Sequence, residues 1–367
     1  MKQRASGLRL PRPRLLGLFG LAGLLLVAGV LAGCSAGAYY WQAFSGQMEV
    51  GRLARPVDEV IAEPTTPAET RRRLAYAKVA REFASRELHL PDNASYRQYT
   101  DLKRNYVVWN VFAAPALSLK LETHCFPVAG CVPYRGYFSE ADAEGYAAEL
   151  RAKGLDVYSG GVPAYSTLGW FSDPLLNTFI RFPDLEIARL IFHELAHQVA
   201  YAQNDSTFNE SFATAVEEEG LRRWMAGHAS AEQRAQYETF GQRRRELMAL
   251  LRGTRQKLEA AYKSGSDAEK LAGKNAVLAE MRADYERLKV GWGGFTGYDA
   301  WLLKDLNNAK LGSISTYTQQ VPAFTALLKR ENGDLAKFYV EVKALAALPK
   351  SERSRRLDEL AGTAVKD

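Results

Sequence analysis

Residues 15–32 form an unbroken apolar run, and beyond it the apolar positions fall into helical and extended patterns. After the turn Pro64-Thr65-Thr66-Pro67, the residues Leu74, Ala77, Val79, Ala80 and Phe83 recur at helical spacing, which predicts a helix over Ala68–Glu87. Tyr106–Leu121 is rich in Val, Phe and Leu without that period and reads as strands. Ser139, with Asp142 three residues on, is a capping-box-like start for a helix to about Lys153, and Gly154 ends it before a short strand at Leu155–Tyr158. Residues 229–290 alternate charged and apolar positions at helical period and break at Ser264-Gly265-Ser266, which predicts a long antiparallel helical hairpin. A further helical block spans Asp299–Ala347, with Pro322 opening one of its helices. The expected fold class is α+β, predominantly helical, with a small sheet.

Charge and composition bear chiefly on the N-terminus. The 367 residues are 47% hydrophobic and 25% charged, with a formal net charge of +6, as in an ordinary globular protein. Five of those six positive charges belong to Lys2, Arg4, Arg9, Arg12 and Arg14, so the chain without residues 1–33 is nearly neutral and has no electrostatic footprint for a nucleic acid. A basic segment, an apolar run and small residues form the layout of a secretory signal. Leu31-Ala32-Gly33-Cys34 matches the lipobox of bacterial lipoproteins, in which the chain is cut before the cysteine and the thiol of Cys34 is lipidated. An uncleaved anchor helix is the alternative, because a run of this length can just span a bilayer; in both cases the bulk of the chain is exported. By resemblance to Gram-negative sorting rules, Ser35 in place of Asp favours a periplasm-facing protein of the outer membrane, with the inner membrane as the alternative. Cys125 and Cys131 are then the remaining cysteines, and an oxidising compartment predicts a disulfide between them, with two reduced core thiols as the alternative.

The chemistry is concentrated at 193–210. In Ile191-Phe192-His193-Glu194-Leu195-Ala196-His197-Gln198, two histidines four apart fall on one face of a helix, where neutral imidazoles can grip one zinc ion. Glu194 stands beside them as a base for a water whose pKa the ion lowers. Ile187, Leu190, Ile191, Leu195 and Val199 would be the buried side of this helix, with Asp184 as its N-cap after Pro183. A polar Gln203-Asn204-Asp205-Ser206 stretch breaks the helix, and Asn209-Glu210-Ser211-Phe212-Ala213 opens the next one, bringing Glu210 into position as a third ligand. Asp205 and Glu217, with Glu218 and Glu219 adjoining, compete for that place; otherwise Asp205 is a turn or cap residue and Glu217–Glu219 a solvated face, or one of them binds a substrate's α-amino group. His228 follows a glycine at a turn, far from His193, so a closed structural zinc site has no evident fourth ligand. Peptide hydrolysis also needs an oxyanion donor, and Tyr317, in the polar run Ser315–Gln320, is a candidate beside the alternative of a core or surface tyrosine. Ala164–Trp170 would be an edge strand, either pairing with an extended substrate or part of the core sheet.

HELAHQ followed by Asn-Glu-x-Phe-Ala resembles the gluzincin class of zinc metallopeptidases, and its wording is nearest to the zinc aminopeptidases. The lipobox, Tyr39–Gln47, Cys125–Phe138 and Ala164–Leu176 further resemble a family of bacterial lipoproteins labelled predicted aminopeptidases, over nearly the whole mature chain. The resemblance implies a zincin-like domain holding one zinc ion, with His193, His197 and Glu210 as ligands, Glu194 as general base and a peptide as substrate. The segment between His197 and Glu210 is shorter than in thermolysin-like and large aminopeptidase families, so their substrate sites do not carry across. The organisation this implies is a signal peptide at 1–33, a lipidated N-terminus and tether at 34–66, a zincin-like catalytic region at 67–228, an inserted helical hairpin at 229–290 and a C-terminal helical part of the catalytic domain at 291–367. The second reading, from another class, is a non-catalytic envelope lipoprotein that binds a protein partner through the hairpin.

Overall fold

A computed structural model of the chain describes residues 37–126, 130–315 and 320–364. The signal segment, Cys34 and Tyr317 lie outside these residues. The chain divides into two units, Met1–Met48 and Glu49–Asp367. The described part of the first is helical, and this helix, α1, covers residues 37–52.

The second unit begins with β1 (Arg55–Pro56), α2 (Val57–Ala62), α3 (Ala68–Arg86), β2 (Gln98–Thr100) and β3 (Val108–Pro115). The hairpin β4 (His124–Phe126) and β5 (Gly130–Val132) precedes β6 (Arg135–Tyr137), α4 (Glu140–Ala152) and β7 (Leu155–Val162). Next come β8 (Leu175–Leu176), α5 (Asn177–Ile180), α6 (Asp184–Ala196) and α7 (Ser206–His228). Helices complete the chain: α8 (Ala231–Ala261), α9 (Asp267–Gly291), α10 (Asp299–Leu302), α11 (Asn308–Ser315), α12 (Val321–Arg330), α13 (Leu335–Ala347) and α14 (Lys350–Ala364).

The chain is thus α+β and predominantly helical, but three small sheets stand where one was expected. β2 pairs antiparallel with β1 and parallel with β8; β3 lies between β6 and β7, antiparallel to both; β4 and β5 form a separate hairpin. The disulfide Cys125–Cys131 staples that hairpin directly across its strands. Within the extended stretch 106–121 only β3 is a strand, and turns follow Pro115, whose missing N–H ends the ladder.

Local chemistry sets the helix ends. The Ser139 hydroxyl accepts from the Asp142 N–H at the start of α4, while α8 and α9 open with full capping boxes, Ser230 with Gln233 and Ser266 with Glu269. One correction concerns α3. Val79 is half exposed, and Arg81, 1% exposed, takes the core face with Leu74, Ala77 and Ala84. Its guanidinium is satisfied there by the carbonyls of Ser95, Pro91 and Asn93, at 2.7, 2.8 and 3.0 Å, which removes the penalty of burial.

The main core gathers one face each of α3, α6, α7, α12 and α13. The helices α8 and α9 pack through their own apolar seam, Leu247, Leu251 and Leu258 against Leu278, Met281 and Tyr285, which Trp292, Leu302 and Leu311 extend. Among the described residues no helix is long and apolar enough to cross a membrane.

Candidate metal centre

The helix α6 carries two kinds of face. Ile187, Ile191, Phe192 and Leu195 are fully buried, each worth about 1.5–3 kcal/mol relative to exposure, so packing rather than propensity holds the helix in place. Against this anchored side, His193 and His197 stand one turn apart, with His197 as the C-cap. Pro183, not Asp184, occupies the N-cap, because its extended backbone already leads into the helix; Asp184 sits in the first turn and is bound by both Arg72 terminal nitrogens, at 2.7 and 2.8 Å.

The return to α7 is built from side chains that close on the backbone. Asn209 clamps the turn, its Oδ1 accepting from the Ala202 N–H at 2.8 Å and its Nδ2 donating to the Ala202 carbonyl at 3.0 Å. Asp205 caps α7 at the Phe208 N–H and is paired with Arg353 at 2.9 Å, both side chains nearly fully buried. The stapled hairpin docks on the same turn: the Cys131 N–H donates to Asn204 Oδ1 at 2.7 Å, and a Cβ on Gly130, at φ 72°, would lie 2.7 Å from that oxygen. Gly220 lets the helices cross closely, since a Cβ there would meet Leu88 at 2.7 Å and Phe192 at 3.0 Å.

This frame brings His193, His197 and Glu210 together. His193 Nε2 lies 3.2 Å from His197 Nε2 and 3.4 Å from Glu210 Oε2, and His197 Nε2 lies 3.8 Å from the same oxygen. Bonds of 2.0–2.1 Å at the tetrahedral angle separate donor atoms by about 3.3 Å, so the three donors fit one zinc ion and leave a fourth direction open. Without an ion, the two ring nitrogens face each other across 3.2 Å as a hydrogen bond whose donor depends on the tautomers. His197 Nδ1, also buried, has no hydrogen-bond partner among the described residues.

Glu217 is the residue whose role the sequence did not disclose. It is 1% exposed rather than part of a solvated face; it accepts from His193 Nδ1 at 2.8 Å and from Arg189 Nη1 at 2.7 Å. It meets the ring nitrogen of His193 that faces away from His197 and Glu210, so it lies outside the group of donors that could hold an ion and instead fixes the orientation of the ring. Both neighbours meet the same oxygen, Oε2. Glu219 is likewise engaged, by Arg222 and Arg223, whereas Glu218 is exposed. His228 stacks on Trp224 at 3.8 Å, away from the cluster.

The electrostatics follow from burial among carboxylates. Burial pushes the Glu194 carboxyl up to about 7; the His193 charge opposes this, and Glu210, Asp173 and Glu217 add to it. Burial alone would strip the His193 proton, but bonds to Glu210 and Glu217 hold it and push that imidazole up to about 10. Burial also pushes His197 down to about 4. Although burial disfavours the charge on Glu217, Arg189 and His193 hold that carboxyl at about 2.

The stretch Ala164–Trp170 is a loop, not an edge strand: Leu168 and Gly169 adopt φ 57° and 83°, which no strand accommodates. Asp173 ties this loop together by accepting from the Thr167 N–H at 2.9 Å, and Trp170 and Phe171 stand exposed on it. Gln198, directly after His197, is bonded to Asn93 at 2.7 Å and Ser95 at 3.3 Å, so the segment 93–96 also borders the site.

The family described as "Putative aminopeptidase" matches residues 38–357. No curated protein and no solved structure matches the chain.

Proposed function

The chain belongs to the family described as putative aminopeptidases, and from that premise we propose that it is a zinc-dependent aminopeptidase of the cell envelope. The observation that carries this reading is the separation of the three donor atoms, 3.2, 3.4 and 3.8 Å, against the spacing of about 3.3 Å that tetrahedral zinc requires. His193, His197 and Glu210 would hold the ion, and Glu217 would orient His193. When bound, zinc polarises the scissile carbonyl and lowers the pKa of water towards about 7.

Glu194, a buried carboxyl pushed up to about 7, takes a proton from the attacking water and returns it to the leaving amine as the peptide bond breaks. Asn209 and Asp205 hold the turn that sets Glu210 opposite the histidines. The preference for a free N-terminus rests on the family. The envelope location, with lipid on Cys34 and the chain facing the periplasm at the outer membrane of a Gram-negative bacterium, rests on the lipobox.

The test uses the purified full chain and its Glu194→Gln variant. The parent should carry one zinc per chain and cleave peptides with a free α-amino group but not their N-acetylated forms. The variant should keep zinc and lose about 10²–10⁴-fold in turnover. A parent that neither contains zinc nor gains cleavage when zinc is added would overturn the reading.

A further inference from the structure

The helix α1 turns its apolar side outward. Tyr40, Trp41, Phe44 and Met48 are exposed by 48, 69, 56 and 46%, and their spacing places all four on one side of the helix. The Trp41 and Phe44 ring centroids lie 6.1 Å apart, so the apolar surface runs on from one to the next. The less exposed side carries Gln42, Ala43, Gly46 and Gln47. This is the reverse of a helix facing water, which hides its apolar stripe and shows its polar one. Exposed apolar residues standing singly need no explanation, whereas a contiguous stripe of four marks a contact.

Composition and position name what the stripe meets. From Leu15 to Met48 the chain carries no charged residue, so no ion has to be stripped of water when this face enters lipid. Tyrosine and tryptophan, apolar rings with a polar tip, are the residues that settle between headgroups and acyl chains. The apolar run 15–32 and Cys34 stand directly before the helix. Whether lipid on Cys34 or the uncleaved run holds the chain, residue 37 follows by three or five positions. At about 3.3–3.6 Å per residue, α1 then begins within about 18 Å of the bilayer. Residues 37–52 are too few to span it, and the stripe from Tyr40 to Met48 extends about 12 Å along the axis instead of gathering at one tip. An upright helix would dip one end of that stripe, and a flat one buries all of it. A second copy of the chain is the weaker occupant. At roughly 150–250 Å² per whole side chain, the exposed parts of these four fall short of the about 800 Å² per partner that a stable protein interface buries.

We infer that the face of α1 formed by Tyr40, Trp41, Phe44 and Met48 is a membrane-contact surface, with the helix lying in the plane of the bilayer and these side chains at the boundary of headgroups and acyl chains. This rests on the envelope reading above and adds to it a second contact, separate from the lipid or apolar segment that anchors the chain. Acyl chains hold a protein to a membrane but leave it free to swivel, whereas a helix embedded along its length fixes the direction of the segment that carries it. With no charge on the helix between residues 37 and 48, the contact draws on apolar burial alone.

The test reads tryptophan fluorescence of the full chain reconstituted into vesicles of phosphatidylethanolamine and phosphatidylglycerol whose acyl chains carry bromine, a contact quencher, either near the headgroup or near the bilayer centre. Trp41→Phe gives the background of the other tryptophans. Trp41→Phe combined with Phe44→Trp, and Trp41→Phe combined with Met48→Trp, move the probe along the stripe at exposed positions that the fold tolerates. The expected result is quenching above background at 41, 44 and 48, equal within about twofold and stronger from the shallow bromine than from the deep one. Quenching at 41 that falls to background by 48 overturns the inference, because the helix then stands away from the bilayer. Background quenching at all three positions in a chain that floats with the vesicles also overturns it while leaving the envelope reading intact, and sedimentation in detergent then shows whether a second copy covers the stripe. A chain found in the soluble fraction of the cell that does not float with vesicles overturns the envelope reading and this inference with it.

Discussion

Loading the metal-free chain with zinc should expel protons in a number set by the site. At pH 7 the His193 imidazole, pushed up to about 10, is protonated, and His197, pushed down to about 4, is neutral. A ligand nitrogen must be unprotonated, so binding releases one proton from His193. Glu194, at about 7, carries about half a proton at that pH, and a doubly charged ion nearby drives this off as well. The expected release is about one and a half protons at pH 7, falling towards one at pH 8.5. The His193 proton opposes binding by about 4 kcal/mol at pH 7, three units at about 1.36 kcal/mol each, a cost that vanishes as pH approaches 10. Apparent affinity should rise about tenfold per pH unit from 7.5 to 9.5. Calorimetric titrations in buffers of different ionisation enthalpy give the proton count as a slope. A count near zero at pH 8.5, or an affinity flat with pH, would refute the assignment of His193 as a ligand held by two carboxylates.

The same groups govern stability without metal. His193 and Glu194 have folded pKa values raised above their ordinary ones, so their contributions are full at low pH and are lost as pH rises through about 7 for Glu194 and about 10 for His193. The metal-free chain should therefore melt at progressively lower temperature from pH 6.5 to 10, with zinc abolishing the slope; a flat profile contradicts the reasoning. Glu217→Gln removes the charge that fixes the His193 ring and should weaken zinc binding about 10–100-fold in competition with a chelator, while unchanged affinity would show that the ring needs no such support. Asp205→Ala leaves Arg353 buried without its carboxylate and deletes the α7 cap, so urea unfolding should show a loss of about 3–5 kcal/mol; a loss under about 1 kcal/mol would mean that the pair is solvated in practice.

What could be read from the chain, and what could not, divides by the range of the interaction. His193, His197 and Glu210 were readable because one helical turn and one short return place them together, and both are properties of neighbouring residues. The capped starts of α4, α8 and α9 are local for the same reason. Period alone ranked Val79 as a core residue and passed over Arg81, because a buried guanidinium is stable only if carbonyls await it, and those belong to residues beyond the helix. The aromatic run at 164–170 has the composition of a strand, yet its course is set by Asp173 gathering Thr167 and by two left-handed residues. Glu217 lies on the same face of α7 as Glu210, which was visible; that it meets the outer nitrogen of His193 instead of joining the His193–His197–Glu210 group follows only from how far α7 slides along α6 at Gly220. Apolar residues find their place by facing any apolar neighbour, so a periodic pattern suffices for them. A charged or hydroxyl group needs one particular partner, and where that partner lies far away, as Gln198 does for Asn93 across 105 positions, only the folded chain names it. The cluster of His193, His197 and Glu210 is the exception among polar groups, because two of its members are already brought to one face by a single helix.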